Sequence, residues 1–306
     1  VRVKFKLKDR HIPSVMLKGT DLKREYNVKN YIELPLNVYL NNTEDQLVEL
    51  VLTKDDYELL HNQYDILEEH IVESYYFESG TGIFDTYIDK WAELKIQADQ
   101  EGDLTLRTLA KLFLNSLYGK MGASVYNIFK FYELDEDGYL KTKSQLATKD
   151  KGVYVPIASA ITAGARRKTI ETSQKILDYG FEHFDKVMYF YSDTDSIHCG
   201  LTREELIECL GEDLDINKTG EFGLWDIEED NIIRSKFIRP KTYLEERIKP
   251  NKKGEIFASG CAGLPKDIQK YLDWDSFNQG ITFYGKLKPV QVQGGLALVE
   301  EEFTLK

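Results

Sequence analysis

The chain has 306 residues, of which 42% are hydrophobic and 12% aromatic, and a formal net charge of −12. This length and composition allow a substantial buried core, which argues against a disordered protein and indicates two or three structural units. The longest apolar runs are shorter than a membrane span and are interrupted by charge, and no export leader is evident. We therefore expect a globular protein that is neither exported nor embedded in a membrane.

Three cysteines, Cys199, Cys209 and Cys261, are odd in number and lack the spacing of metal ligands. They indicate reduced thiols in a cytosolic compartment and no zinc site. The acidic net charge argues against general nucleic-acid binding, because phosphate affinity comes largely from Lys and Arg. Basic residues nevertheless cluster at 165–168, 234–241 and 286–288. These clusters favour either a basic cleft in an acidic body or merely solvated charge.

The first region, residues 1–79, has the pattern of a small α+β unit. Strand-like runs at 1–7 and 48–52 precede a helical stretch at 54–64, and a β-rich segment follows at 71–76. Two helical patterns come next, at 84–97 and 104–118, and the polar residues between them predict a loop at 96–103 that joins antiparallel helices. Asp103 is a suitable N-cap for the second helix, and Gly119 a suitable stop.

The second part of the chain contains several strands around one long helix. Residues 127–151 predict a β-ribbon with its turn at 135–138, and residues 155–179 an amphipathic helix. A hairpin at 187–199 follows, and the tail after Cys261 begins with a short helix. Strands are predicted at 237–248 and 254–259, on either side of a turn at 250–254.

Asp193 and Asp195 end an apolar strand-like run and lie one residue apart. Two such carboxylates can hold a divalent metal against a polyphosphate. An isolated Asp-Thr-Asp is more often a simple turn, because Asp side chains bond their own backbone. The pair therefore needs support from elsewhere in the chain.

One helix supplies that support, because its polar residues share one stripe. Arg107, Lys111, Asn115 and Tyr118 fall within an arc of roughly 80° at about 100° per residue. Two cations with an aromatic ring a turn beyond can bind a nucleotide. The alternative is an ordinary exposed face. The opposing residues, predicted to be buried, are Leu109, Leu112, Phe113 and Leu117.

Together, residues 111–119 and 191–196 resemble the K-x-x-x-N-S-x-Y-G and Y-x-D-T-D-S signatures of family B DNA polymerases, in the same order. The surrounding sequence resembles the protein-primed, organellar and viral type found in small Bacillus phages. That wider resemblance includes Thr81-Gly82, Asp89-Lys90-Trp91, residues 239–243 and residues 289–295, and it covers nearly the whole chain.

The resemblance implies an α+β polymerase right hand with a partial palm, fingers, a thumb and two insertion regions. By this resemblance residues 1–79 are a first terminal-protein-region-like insertion and residues 80–120 the fingers. Residues 121–150 are a second, β-ribbon insertion that closes around DNA, residues 151–260 the palm with its metal hairpin, and residues 261–306 the thumb.

The resemblance also implies roles for single residues. Asp193 and Asp195 match the palm aspartates, with Asp195 a direct metal ligand and Asp193 beside the metals. The fingers residues that match contacts to the incoming dNTP are Lys95, Arg107, Lys111, Asn115 and Tyr118. Lys241 and Tyr243 match a K-x-Y element that contacts the primer; the alternative is a strand with one solvated Lys and one half-buried Tyr.

The implied reaction is template-directed transfer of dNMP to a primer 3′-hydroxyl. Two Mg2+ or Mn2+ ions, about 3.5 to 4 Å apart, would activate the hydroxyl and stabilise the leaving pyrophosphate. The implied partners are template-primer DNA, dNTPs and a terminal protein, and the implied location is the cytoplasm of a bacterial host, with a phage, prophage or plasmid gene.

One family element does not match. Family B palms carry a third carboxylate in a D-x-x-S-L-Y-P string, and no such string occurs here. We therefore expect a C-terminal piece of a polymerase, without the exonuclease domain and the first palm aspartate. Two readings stay open: a nucleotidyltransferase that needs its N-terminal part for activity, or a non-catalytic module that binds DNA or terminal protein.

Overall fold

The computed structural model describes residues 1–15, 41–44, 46–78, 80–123, 126–148, 154–217, 221–251, 253–292 and 295–305. Helices and strands alternate along the chain, which confirms the α+β class. The chain divides into two compact units. The first comprises Val1–Ala123, Gly152–Leu201 and Glu205–Leu224, and the second comprises Ser124–Lys151, Thr202–Glu204 and Trp225–Lys306. None of the described helices combines the length and apolar character that crossing a membrane requires.

The first unit begins with an antiparallel sheet of order β2-β1-β3. Its elements are β1 (Arg2–Leu7), β2 (Val48–Glu49), α1 (Lys54–Gln63) and β3 (Tyr64–His70). Val3 and Phe5 alternate with charged residues along β1 and are fully buried, as expected for a sheet with one covered face. Leu60 of α1 and Tyr64 join them in one hydrophobic core.

The β-rich segment predicted at 71–76 is not a strand. The strand is Tyr64–His70, and residues 71–78 follow it without regular structure. The mispredicted boundary has a physical cause, because β3 pairs with β1 only as far as Arg2↔His70. Strand propensity alone does not make a strand where the backbone finds no partner.

The two predicted helices are α2 (Asp85–Glu101) and α3 (Leu104–Met121). The predicted loop at 96–103 is wrong, since α2 runs to Glu101 and ends at Gly102, which has a left-handed φ of 71°. Asp103 is confirmed as the N-cap of α3, and its side chain accepts from the N–H groups of Thr105 and Leu106. Gly119 does not end the helix, which continues to Met121.

The predicted ribbon is confirmed as a hairpin of β4 (Tyr126–Leu134) and β5 (Leu140–Thr148) in the second unit. The long helix, α4 (Val155–Phe184), belongs to the first unit and extends beyond its predicted end at 179. The hairpin that carries the aspartates consists of β6 (Tyr189–Asp193) and β7 (Ser196–Cys199). The short helix α5 (Arg203–Leu210) follows.

The remainder of the second unit contains five strands and a short helix: β8 (Ile232–Arg239), β9 (Thr242–Arg247), β10 (Phe257–Cys261), α6 (Lys266–Gln269), β11 (Thr282–Val292) and β12 (Gly295–Thr304). Strands β8, β9 and β10 form one antiparallel sheet, and β11 and β12 form a hairpin. The single strand predicted at 237–248 is two strands, because the chain turns at Lys241 with a φ of 61°. The core of this unit includes Leu244, Phe277 and Leu305.

Candidate active site

A tight turn brings the two predicted catalytic carboxylates to the tip of the β6–β7 hairpin. Asp193 pairs with Ser196 across the hairpin, and the Asp195 N–H donates to the Asp193 carbonyl at 2.7 Å. Thr194, between them, has a φ of 59°, which is uncommon for a β-branched residue. Asp193 is half-buried and Asp195 exposed. The turn thus holds both carboxylates within one short, constrained segment.

The turn is also held from behind by α4. The Thr169 hydroxyl lies 2.9 Å from the Thr194 carbonyl and 3.1 Å from the Ala165 carbonyl, and it can donate to either. Thr169 is 8% exposed, so this polar contact is almost entirely shielded from water. Thr169 could not be predicted from the sequence, because a threonine on the buried face of a long helix carries no signal that it supports a turn 25 residues later.

Close packing brings the end of α4 against the start of the hairpin. A Cβ placed on Gly180 would lie 2.7 Å from the Lys186 carbonyl oxygen and 2.7 Å from Met188. Such a distance is well inside van der Waals contact, so a side chain at position 180 would push the two elements apart. Behind the hairpin, burial raises the pKa of the Cys199 thiol, and it raises the pKa of Cys209 on α5 to about 11.

The turn offers the donors that a hard divalent cation prefers. Both side chains supply carboxylate oxygens, and no cation lies within ion-pair distance of Asp195 in the described part of the chain. The same described residues contain no group of three or more His, Cys, Asp or Glu side chains that could hold a metal ion. Among them, β6 and β7 pair only with each other. The donor chemistry fits, but these residues supply two carboxylates and not a closed site.

The polar stripe on α3 is largely solvent-facing. Lys111, Asn115 and Tyr118 are exposed, whereas Arg107 is half-buried and forms an ion pair with Asp99. Lys95 lies half-buried on α2. Three members of the stripe are therefore accessible to a ligand, and the fourth is already engaged with a carboxylate.

The buried face predicted for α3 is wrong. Leu109, Leu112 and Phe113 are 43%, 61% and 38% exposed, and only Leu117 of the predicted set is half-buried. The fully buried residue of α3 is Ala110. Helical periodicity therefore did not identify the buried side of α3: the Phe113 ring packs against Trp91 of α2, whereas Leu109 and Leu112 remain exposed.

Aromatic contacts hold α2 against α3. The rings of Trp91 and Phe113 stack with centroids 4.2 Å apart and an interplanar angle of 5°. The Tyr87 hydroxyl donates to the Phe113 carbonyl at 3.0 Å. These contacts orient the face of α3 that carries the polar stripe.

The helix α4 connects the stripe to the turn. At one end the Tyr154 N–H donates to the Met121 carbonyl, the last residue of α3, at 2.9 Å. A Cβ on Gly122 would lie 3.0 Å from the Ala158 Cβ, so the helices meet closely there. Eleven residues separate Ala158 from Thr169, about 16 Å at 1.5 Å per residue. One rigid element therefore spaces the predicted nucleotide-binding helix from the predicted metal turn.

Lys241 and Tyr243 lie in the second unit. Lys241 is exposed at the β8–β9 turn, and Tyr243 is half-buried on β9. The Tyr243 ring covers Gly260 of β10, where an added Cβ would lie 2.5 Å from a ring carbon. Tyr243 thus packs against β10 in addition to its predicted contact with the primer.

Several residues of the basic clusters form ion pairs with neighbouring carboxylates. Arg166 pairs with Asp56 of α1, and Arg167 pairs with Asp55, Glu58 and Glu171. In the second unit Arg234 pairs with Glu246, and Lys286 and Lys288 both pair with Glu301. These pairs partly neutralise the positive charge of each cluster.

Comparison with known proteins agrees with the motifs on the hairpin and α3. The profile of the family described as DNA polymerase type B, organellar and viral, matches residues 3–206, about two-thirds of the chain. The chain belongs to this family. The DNA polymerase of Bacillus phage Nf is 33% identical over 318 residues, and that of Bacillus phage phi29 is 32% identical over 319.

Both alignments cover 100% of this chain and 50% of the phage protein, so the chain spans about half the length of these relatives. The fold is also similar. The structure of phi29 DNA polymerase complexed with primer-template DNA and incoming nucleotide substrates superimposes with a TM-score of 0.76 at 30% identity, again over 100% of this chain and 50% of that one. The polymerase resemblance inferred from the sequence is confirmed.

Proposed function

We propose that this chain forms part of a DNA-directed DNA polymerase, which transfers dNMP to a primer 3′-hydroxyl during phage-type, protein-primed replication. The observation that carries the proposal is the constrained turn with Asp193 and Asp195 at its tip, in a chain similar to polymerases over its whole length. The phi29 enzyme in the related structure is complexed with primer-template DNA and incoming nucleotides, which supports the same two partners here.

In this proposal each group of residues has a distinct task. Lys111 neutralises the triphosphate, and Asn115 and Tyr118 contact the sugar and base. Arg107 and Lys95 add positive charge beside them, and Lys241 and Tyr243 contact the primer strand. Asp193 and Asp195 would hold divalent ions, which when bound would supply Lewis-acid stabilisation of the reacting oxygens. The protein contributes mainly position and charge.

The described residues provide two carboxylates, so we propose that the polypeptide matching the other half of the phage polymerases completes the metal site. The host cytoplasm, where dNTPs and replicating phage DNA occur, is the proposed location. A terminal protein that offers a hydroxyl for the first nucleotide is the proposed primer.

Primer extension tests the proposal. The chain is assayed with Mg2+ or Mn2+, alone and together with the other half of the Nf polymerase expressed as a separate polypeptide. We expect no extension by the chain alone and extension by the mixture. Asp195→Asn should reduce that extension at least 100-fold, about 3 kcal/mol. Extension that is unchanged in Asp195→Asn would overturn the proposal.

A second function, DNA binding without catalysis, is favoured by one observation, the lack of a three-group metal site among the described residues. The two functions differ in one measurement. If the mixture binds a primer-template duplex but never extends it, at any metal concentration, the non-catalytic function is correct.

A further inference from the structure

The segment after β3, which has no regular structure, leaves its apolar side chains uncovered. Five large residues between 71 and 77 are exposed, and on β3 itself Leu67 is 60% exposed. The five are Ile71 (67%), Val72 (52%), Tyr75 (74%), Tyr76 (94%) and Phe77 (61%). We call these six side chains the β3-extension surface. Monomeric proteins seldom leave so many neighbouring large apolar groups in water.

The backbone of this segment is uncovered as well. β3 is an edge strand, and its ladder with β1 ends at Arg2↔His70. Beyond His70, residues 71–78 form no backbone hydrogen bond with any other described residue. Ile, Val, Tyr and Phe are strong strand formers, so the segment has the composition of a strand but no strand partner among the described residues. An open edge of this kind is a template for addition of a strand from another polypeptide.

The charge along the same edge limits what can bind there. Lys4 forms an ion pair with Glu68, while His70 contacts Glu68 and His61 contacts Glu69. Glu73 accepts a hydrogen bond from Tyr75, and neither Glu73 nor Glu78 has a cation within ion-pair distance in the described residues. The edge is therefore apolar and acidic. A second copy would place like charges opposite each other, and DNA would bring phosphates against carboxylates.

We propose that the β3-extension surface binds a β-strand of the polypeptide that corresponds to the other half of the phage polymerases, and that this strand carries apolar side chains together with Lys or Arg. The chain spans half the length of its relatives, so a folded polymerase needs the other half in contact with this one. The inference rests on membership of the family, and it goes beyond the proposed chemistry because it concerns only assembly.

Hydrogen exchange provides the direct test. The probe is the half of the Bacillus phage Nf polymerase that this chain does not match, expressed separately and mixed with the full chain without metal or dNTP. We expect amides 71–78 to exchange rapidly in the chain alone and at least ten-fold more slowly in the mixture. No added protection would overturn the proposal.

A matched pair of variants separates strand pairing from apolar contact. Ser74→Pro removes a backbone donor from the segment and should weaken binding at least ten-fold, whereas Ser74→Ala keeps the donor and should bind like the original chain. Tyr76→Ser removes the most exposed ring and should also weaken binding, while Val51→Ser, at a fully exposed position outside the surface, should not. Equal binding by Ser74→Pro and Ser74→Ala would contradict strand addition.

The remaining outcomes also decide the matter. If protection of 71–78 grows with the concentration of this chain alone, the occupant is a second copy and the proposal is wrong. If a primer-template duplex alone protects 71–78, the occupant is DNA and the proposal is also wrong. Asp195→Asn should bind the probe as tightly as the original chain. Thus binding with protection of 71–78 but without extension would refute the proposed function and leave this inference standing, whereas extension by the mixture without protection of 71–78 would refute this inference and leave the proposed function standing.

Discussion

The amino-terminal sheet and the β6–β7 hairpin lie in the same unit but are stabilised in different ways. The sheet has a true core, in which Val3, Phe5 and Leu60 are fully buried. No residue of β6 or β7 is classed as buried. The hairpin depends on its own ladder, on the close contact at Gly180 and on the hydroxyl of Thr169.

The difference shows how this molecule separates stability from chemistry. Side chains that must meet a nucleotide or a metal cannot also be buried, so their elements have few apolar contacts to stabilise them. Their geometry then depends on single hydrogen bonds and caps. We expect changes in the sheet to alter stability strongly and changes around the hairpin to alter local geometry at a small cost in stability.

The largest effect is expected from Leu60→Ala in the core of the sheet. Loss of a fully buried leucine should cost about 2–5 kcal/mol of unfolding free energy. Denaturation followed by amide exchange in β1 measures it, with Val51→Ala as an exposed control that should change stability by less than about 0.5 kcal/mol. If Leu60→Ala and Val51→Ala lowered the unfolding free energy by similar amounts, the sheet would not owe its stability to this buried core.

The second effect concerns Cys209 on α5, which should be shielded from water although the tip of the hairpin is exposed. Burial, the largest cause, raises the pKa of Cys209 from 9.0 to about 11. At pH 7.5 its thiolate fraction, and hence its alkylation rate, should be about 100-fold below that of the unfolded chain.

The alkylation rate of Cys209 should rise with pH until about pH 11. Because the folded state holds this proton more tightly than the unfolded chain, the associated stability is present below about pH 9 and is lost as the pH rises towards 11. Iodoacetamide labelling with peptide mapping measures the rate. If Cys209 were labelled as fast as in the unfolded chain, its thiol would be accessible to solvent, and the predicted shielding would be wrong.

A smaller effect is expected for Thr169→Val, which keeps the shape of the side chain but removes the hydroxyl. The Thr194 carbonyl loses a partner in a nearly dry site, at a cost of about 1 kcal/mol. Exchange of the Asp195 amide should become about five-fold faster, with β1 unchanged. Thr169→Ser restores the donor and should restore slow exchange; failure of that rescue would exclude the positioning role.

The smallest effect is expected for Asp103→Ala, which removes the N-cap of α3. The side chain accepts from two backbone N–H groups at 3.0 Å each but is exposed, so the cost should be about 0.5–1 kcal/mol, limited to the first turn. Faster exchange at Thr105 and Leu106 measures it, and Asp103→Asn is the control. Faster exchange that extended to Tyr118 would show that the N-cap stabilises the whole of α3 and not only its first turn.

Local signals predicted some elements well and others poorly. Asp103 as a cap and residues 135–138 as a hairpin turn rely on interactions within a few residues, and both are confirmed. The buried face of α3 depends on where α2 and α4 pack, and that prediction was wrong. For the site, the sequence named Asp193 and Asp195 but not Thr169, which is distant in the chain from the turn that it supports.

The sequence by itself determined the family, the order of the motifs and the identity of the side chains that can carry the chemistry. These are properties of residue type and spacing. Only the tertiary structure decided that Thr169 contacts the turn between Asp193 and Asp195, that several residues of the basic clusters form ion pairs and that residues 71–78 have no strand partner among the described residues. Each of these depends on which segments meet in space, and contacts across more than 20 residues leave no periodic pattern in the chain.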